Sequence, residues 1–323
     1  MSSVREVAEL AGVSVGTVSR YLNGQQLKAA NQAKIAAAIE QLDYKQNIIA
    51  KGLKNNQSFS IGLLMNSISS RFGAEVVSGI EQRVEQQGYS LLLSGFSDKP
   101  ALIDQKIDYL MAHSIDGLIV FLAGEEWQGM ERLAALDIPV VTINNPNQLR
   151  NVDSILLDDR ASVAQVMQQI IDLGHQNIGM IAANQDDYVA RERLAGAKQT
   201  MAAYPDRQLH VFEGDYSRTS GYRGAQALLA EGITALFVSN DNMAFGALTY
   251  LSENGIRIGQ DLLFGHYDYA DEHQFGQLPI LSIQPPTEAI GLAAAKLLLD
   301  RLQNKTQSDG QTILMHHEIN GLN

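Results

Sequence analysis

From Ser58 onward, short apolar runs alternate with amphipathic stretches, and this alternation leaves few architectures open to the chain. The runs are SIGLLM at 60–65, YSLLLSG at 89–95, DGLIVFL at 116–122 and IPVVTI at 138–143, then NIGMIA at 177–182, LHVF at 209–212, TALFVS at 234–239 and LLFG at 262–265. Helical spacing fills the intervals, as in 74–87 and 161–173. Strands that alternate with helices make parallel sheets with right-handed crossovers, and such sheets bind ligands at the carboxyl ends of their strands. Two series of these units, separating near residues 150–160, predict two similar lobes. The helix from about Thr287, TEAIGLAAAKLLLDRL, is expected to return to the first lobe and the final run TILMHHEI to join the second.

The first 45 residues follow another pattern. Ser3-Val4-Arg5-Glu6 is a capping box that starts a helix, with Val4, Val7, Ala8 and Ala11 at helical spacing. Gly12 supplies a tight turn and Val13 a buried plug. Ser14 can cap a second helix with Val18 and Leu22 inward, closed by Asn23-Gly24. An Ala-rich third helix runs from about Ala30 to Leu42 and is expected to bury Ile35, Ala38, Ile39 and Leu42. Two short helices joined by a Gly turn, with a third behind, form a helix-turn-helix unit. The outward face of the second helix carries Ser14, Val15, Gly16, Thr17, Ser19 and Arg20. A solvated face would favour Glu and Lys, whereas small hydroxyls beside one long cation suit phosphates and base edges in a major groove.

Charge divides along the same line. Residues 1–57 hold seven Lys/Arg against four acids, a net of +3, so the total of −12 leaves −15 on the remainder. A basic head on an acidic body suits a chain that meets nucleic acid only through the head. With no cysteine, disulfides and thiolate metal sites are excluded. The polar start MSSVREVAEL and the lack of a long uncharged apolar stretch predict a cytoplasmic protein with no membrane partner.

VREVAELAGVSVGTVSRYLNG, followed by IAAAIEQLDYKQNIIAKGLKNNQSFSIGLL, resembles the lactose/galactose repressor (LacI/GalR) family of bacterial transcription regulators. The shared features are the AGVS-x-x-TVSR-x-LNG core, the third helix and a linker of the Y-x-x-N-x-x-A-x-x-L type. The resemblance implies an all-α helix-turn-helix head at 1–45, a hinge helix or linker at 46–57, and an α/β body at 58–323. That body would have the two-lobed type I periplasmic-binding-protein-like fold with parallel sheets. Lobe 1 is expected at about 58–155 and 287–311, and lobe 2 at about 156–286 and 312–323.

The resemblance also implies roles. Val15 and Gly16 take the first two recognition positions and Arg20 the third, so Arg20 is left to make the bidentate guanine contact and Val15 to meet a thymine methyl. Asn23 and Asn47 join the DNA-facing set. Leu53 is the minor-groove wedge of the hinge, with Lys51 and Lys54 beside phosphates. The hinge departs from the family in having Gln46 where Pro is usual and Lys51 where Arg is usual. Its composition gives poor intrinsic helicity, so the segment is expected to fold on double-stranded operator DNA beside a second copy.

For a small-molecule effector, the resemblance implies Phe72, Asn144, Arg191, Tyr216, Asn240, Asp241 and Asp268. The run Gly265-His266-Tyr267-Asp268 reads as one residue longer than the family's G-[FY]-D-[DN]. A carboxylate and an Arg facing vicinal hydroxyls across a stacked ring suit a sugar, and the same groups can hold a purine. The chain ends at HHEINGLN without Leu heptads, which points to a homodimer with no tetramerisation tail.

A carbohydrate-acting enzyme with a regulatory head is the rival class. No P-loop and no strand-following G-x-G-x-x-G occurs, and no nucleophile elbow is present. His113, His175, His210, His266 and His273 lack metal-ligand spacing, and a strand would turn His316 and His317 to opposite faces. No cofactor, metal ligand or catalytic residue is therefore expected.

Overall fold

The capping box at the start of the chain forms as its residues dictate. Ser3 Oγ accepts from the Glu6 amide at 3.3 Å, while Glu6 Oε2 accepts from the Ser3 amide at 2.6 Å. The structure is a computed structural model describing all residues except 1, 23, 46–56, 67–70, 98, 122–126, 128, 269–278, 305–308, 322 and 323. It divides into two units, residues 1–59 and 60–323.

In the first unit α1 (Val4–Ala11), α2 (Val15–Leu22) and α3 (Ala29–Gln41) pack around Val7, Ala8, Ala11, Val18, Ile35 and Ala38. Gly12 takes φ +63°, the left-handed conformation that ends α1 at little cost. Val13, Leu22, Ile39 and Leu42 form a half-buried rim around this core. Burying Val7, Val18 and Ile35 contributes about 1.5–3 kcal/mol each and the three alanines less, so the core is small.

In the second unit the described residues form two six-stranded sheets. The first has the order β11-β5-β4-β3-β1-β2, from β1 (Ser60–Met65), β2 (Ser90–Gly95), β3 (Gly117–Phe121), β4 (Val140–Ile143), β5 (Val152–Leu157) and β11 (Thr312–Met315). The second has the order β12-β10-β9-β8-β6-β7, from β6 (Asn177–Ala182), β7 (Gln208–Glu213), β8 (Ala235–Val238), β9 (Leu263–Tyr267), β10 (Ile280–Gln284) and β12 (Glu318–Asn320). All pairings are parallel except β10 with β12.

Helices α4 (Arg71–Gln86) and α11 (Thr287–Asn304) pack together on the first sheet, where Val76, Ile80, Ile290, Ala294 and Leu298 meet Ile61, Leu63 and Ile119. On the second sheet α7 (Asp159–Asp172) packs with α8 (Tyr188–Met201), and α9 (Arg218–Ala230) with α10 (Asp241–Glu253). The glycines of these pairs let backbones touch: a Cβ on Gly79 would lie 2.3 Å from Glu288 O, and one on Gly246 1.9 Å from Arg218 O.

Three connections join the sheets, after Leu157, after Gln284 and after Met315. The last corrects the sequence reading of TILMHHEI. Thr312–Met315 completes the first sheet, with Thr312 paired to Ser154, and only Glu318–Asn320 joins the second. A four-residue apolar run carries no mark of which sheet it will extend. Strands β5 and β10 lay outside the sequence reading as well; a buried charge, Asp153, interrupts the first, and polar Ser282 and Gln284 interrupt the second. A cavity of about 820 Å³ opens beside two of the connections, lined in part by Glu75, Gln284, Thr287, Glu288, His316 and Glu318. Among the described residues no helix is long and apolar enough to cross a membrane.

Candidate functional site

The head presents one chemically distinct face. Ser14 caps α2 by accepting the Thr17 amide at 3.2 Å, and the two hydroxyls meet at 2.9 Å. Val15 is 46% exposed, and Gly16 beside it leaves the helix surface bare. Arg20 is exposed and lies back on its own helix, donating at 3.4 Å to Gly16 O and at 3.4 Å to Thr17 Oγ1. Both bonds are long, so the guanidinium fork is easily released to a stronger acceptor. Ser19 is half-buried beside them. The expected DNA contacts Asn23, Asn47, Lys51, Leu53 and Lys54 lie outside the described residues.

In the body the strand order creates a switch point in each sheet. β1 lies between β2 and β3, and β6 between β7 and β8, so the connections leave in opposite directions and open a crevice at the carboxyl ends. Backbone strain gathers at those ends. Of the eight described non-glycine residues with positive φ, Ser97, Asn144, Tyr216 and Asp268 follow β2, β4, β7 and β9.

Asn240, Asp241 and Asp268 come together. Val238 pairs with His266, so two steps further Asn240 stands level with Asp268. Asn240 caps α10 by accepting the Met243 amide at 3.0 Å, and its Nδ2 donates to Asp241 Oδ1 at 3.1 Å. The apparent extra residue before Asp268 is absorbed within β9, where His266 and Tyr267 are both fully buried. Burial, then the neighbouring Asp241, pushes the Asp268 carboxyl up to about 7, with Asp159 and Glu75 acting in the same direction and Arg193 against it.

Tyr216 reaches Asp187 instead, donating its hydroxyl to Oδ2 at 2.5 Å. Asp187 caps α8 through the Val189 amide at 3.1 Å, and burial raises its carboxyl despite the bond from Tyr216. Half-buried Arg191 donates to Gln185 O at 3.1 Å. On the first-sheet side, Phe72 is tilted against Phe121 with centroids 5.6 Å apart. Asn144 follows β4 with its Oδ1 buried and without a hydrogen-bond partner.

The centre of the second sheet's polar edge is a group that the sequence reading passed over. Arg193, 5% exposed, donates to Asp159 Oδ1 at 2.8 Å and to Ser239 O at 2.7 Å, and its guanidinium lies 3.3 Å from the Tyr267 ring centroid. Burial works against its charge, but Tyr267, Asp159 and Tyr216 outweigh burial and hold it above its ordinary value. The Tyr267 hydroxyl meets His317 Nε2, and His317 Nδ1 meets Asp158 Oδ1. Burial keeps His317 below its usual value, which suits a neutral ring that accepts at Nε2 and donates at Nδ1.

His316 Nδ1 also reaches Asp158, at 2.7 Å. The two histidines thus converge on one carboxylate, because they lie in the connection between β11 and β12 where strand alternation does not apply. A signal for Arg193 did exist: it shares the helical stripe of Ala190, Leu194 and Ala197, all buried, so a charge there must be paired inside.

A family model described as bacterial regulatory proteins, lacI family, matches residues 3–47, and one described as periplasmic binding proteins and sugar binding domain of LacI family matches 58–319. The chain is 32% identical over 325 residues to the HTH-type transcriptional repressor PurR of Actinobacillus pleuropneumoniae serotype 3 (strain JL03), covering 99% of this chain and 97% of that one. Its structure is similar to that of the Lac repressor bound to ONPG in the repressed state, with a TM-score of 0.85, 27% identity and coverage of 99% and 98%. The Lac repressor dimer bound to operator and the anti-inducer ONPF gives a TM-score of 0.84, with 28% identity and coverage of 98% and 97%. The chain belongs to the LacI family and is a DNA-binding transcriptional regulator.

Proposed function

We propose that this regulator acts as a cytoplasmic homodimer on a pseudo-palindromic operator, and that a sugar bound between the lobes sets its affinity for DNA. The observation that carries the effector reading is the polar carboxyl edge of the second sheet, where Ser239 Oγ is buried and unpartnered, together with the equally buried and unpartnered Asn144 Oδ1 at the end of β4 in the first sheet. Such atoms are costly unless something donates to or accepts from them. Supporting it, one matched family model is described as a sugar binding domain, and a similar Lac repressor dimer carries operator and an anti-inducer.

In this reading Phe72 and Tyr216 stack on the sugar, while Asn144, Arg191, Asn240, Asp241 and Asp268 bond its hydroxyls. Ser14, Thr17 and Ser19 approach phosphates, Val15 meets a thymine methyl and Arg20 grips a guanine, with Asn23 alongside. Residues 46–57 act as the hinge, where Asn47, Lys51 and Lys54 meet the backbone and Leu53 enters the minor groove. Closure on the effector acts through the three connections, and DNA affinity shifts only by the difference in the effector's affinity for the two states. The sugar leaves unchanged, since the protein is a switch and no enzyme.

The test is a thermal-shift screen against monosaccharides, disaccharides, sugar phosphates and purines, followed by operator binding with and without each hit. A hit that shifts the midpoint and alters operator affinity supports the reading; a sugar recovered as product instead favours the enzyme class. Arg20→Ala is expected to remove about 1–3 kcal/mol of discrimination between operator and scrambled DNA. Unchanged preference in a fluorescence-anisotropy titration would place base recognition elsewhere.

A further inference from the structure

The buried guanidinium at the second sheet's edge is already neutralised from within the chain. Arg193 and Asp159 are 6% and 0% exposed at their side chains and meet at 2.8 Å. The Arg193 NH1 group is held by Ser239 O and one face of the guanidinium by Tyr267. Asp187 and Asp268 each feel this pair electrostatically, Asp241 lies beside Asp268, and half-buried Arg191 is the other cation of the same edge. The unpartnered polar atoms there, Ser239 Oγ in a residue with no exposed surface and Asp159 Oδ2, belong to a hydroxyl and a carboxylate, and across from them, at the end of β4 in the first sheet, Asn144 Oδ1 is likewise buried and unpartnered. The edge therefore offers a hydroxyl and surplus carboxylate oxygens, which suit donating sugar hydroxyls, and its deepest cation is taken.

We infer that Asp159 sets the effector's charge class: by occupying Arg193 it makes the cleft select an uncharged polyol and refuse phosphorylated or carboxylated sugars. This inference rests on the effector reading above. An anion entering such a site must either displace Asp159 from Arg193 or rely on half-buried Arg191 alone against Asp159, Asp187, Asp241 and Asp268, and both cost affinity. A neutral sugar does neither, since its hydroxyls donate to the carboxylates and satisfy Ser239 and Asn144.

The experiment is isothermal titration of the full-length protein with matched pairs: glucose and glucose 6-phosphate, ribose and ribose 5-phosphate, galactose and galacturonate, and each neutral sugar found by the screen with its own phosphate ester. The expected result is that a neutral member binds and its charged partner binds at least about tenfold more weakly. In D159N that gap should narrow by about tenfold, because the guanidinium is then free to meet an anion. Circular dichroism and thermal unfolding verify the fold of D159N; if that variant does not fold, the wild-type gap alone decides. A phosphate ester or uronate that binds wild type as tightly as its neutral partner overturns the inference and leaves the effector cleft standing. Binding by neither member of any pair overturns the cleft reading itself, and this inference with it.

Discussion

The two sheets share one frame and differ at one edge. Each has six strands in the equivalent order, with the switch point in the same place and a glycine-mediated helix pair against it. Each also has one buried arginine–aspartate pair, and the pairs differ in how completely they are used. In the first, Arg301 makes two bonds to Asp153, at 2.5 and 2.6 Å, while the Gln311 amide adds a third at 2.7 Å. Both oxygens of Asp153 are thereby filled. In the second, Asp159 gives only Oδ1 to Arg193 and its Oδ2 has no hydrogen-bond partner. The saturated pair clamps strand to helix; the unsaturated one leaves a buried carboxylate oxygen unmatched at the edge proposed to hold the effector.

The largest effect that would break this comparison comes from removing each cation. R193A and R301A each leave a buried aspartate unpaired, so each should cost about 3–5 kcal/mol in urea unfolding. They should differ in function: R301A retains effector affinity in calorimetry and R193A loses it. Equal loss in both would mean that the first-sheet pair also serves the ligand.

A middle-sized effect tests the shared frame. G79A and G246A both force a Cβ against a backbone carbonyl, in the first and second lobes respectively, and each should cost about 1–3 kcal/mol. A neutral result at either glycine would show that the two helix pairs are not packed alike.

The smallest effect sharpens the contrast in charge. The Asp268 carboxyl is raised from 3.8 to about 7 in the folded state, so its contribution to stability is present below about pH 4 and is lost as pH rises through about 7. D268N should remove that decline, giving a flatter thermal midpoint between pH 5.5 and pH 8 than wild type. Parallel profiles would remove Asp268 from the account. On the acid side buried His266 acts oppositely: lowered from 6.5 to about 4 by burial, it costs stability as pH falls through that interval.

Periodicity made the frame legible. Apolar runs and helical stripes predicted eight of the strands and the helices between them, and the capping box and Gly12 turn set the start and end of α1. What stayed hidden were strands whose pattern is broken by a paired charge, as Asp153 breaks β5, and a last run that divides between the sheets. The candidate site's strand ends were legible where Asn240 and Asp241 directly follow the apolar run at 234–239 and where Asp268 follows the run at 262–265 after His266 and Tyr267. Its centre was harder to read, because Asp159, Arg193, Tyr267 and His317 meet only through tertiary packing; the helical stripe of Ala190, Leu194 and Ala197 marks Arg193 as inward but names none of its partners.

The divided last run has a consequence for how the molecule forms. Thr312 pairs with Ser154 and Asn320 with Ser282, so one short segment near the end of the chain closes an edge of each sheet. Neither lobe is a continuous stretch of sequence, and the contacts that complete the first sheet span about half the chain. Loop-closure entropy makes such long-range pairings slow. On the ribosome both lobes must therefore wait, incomplete and with open strand edges, until residues 312–320 emerge. The two lobes are then finished together, and we expect the body to mature late and as one cooperative unit, with the interval before completion as its window of exposure to aggregation.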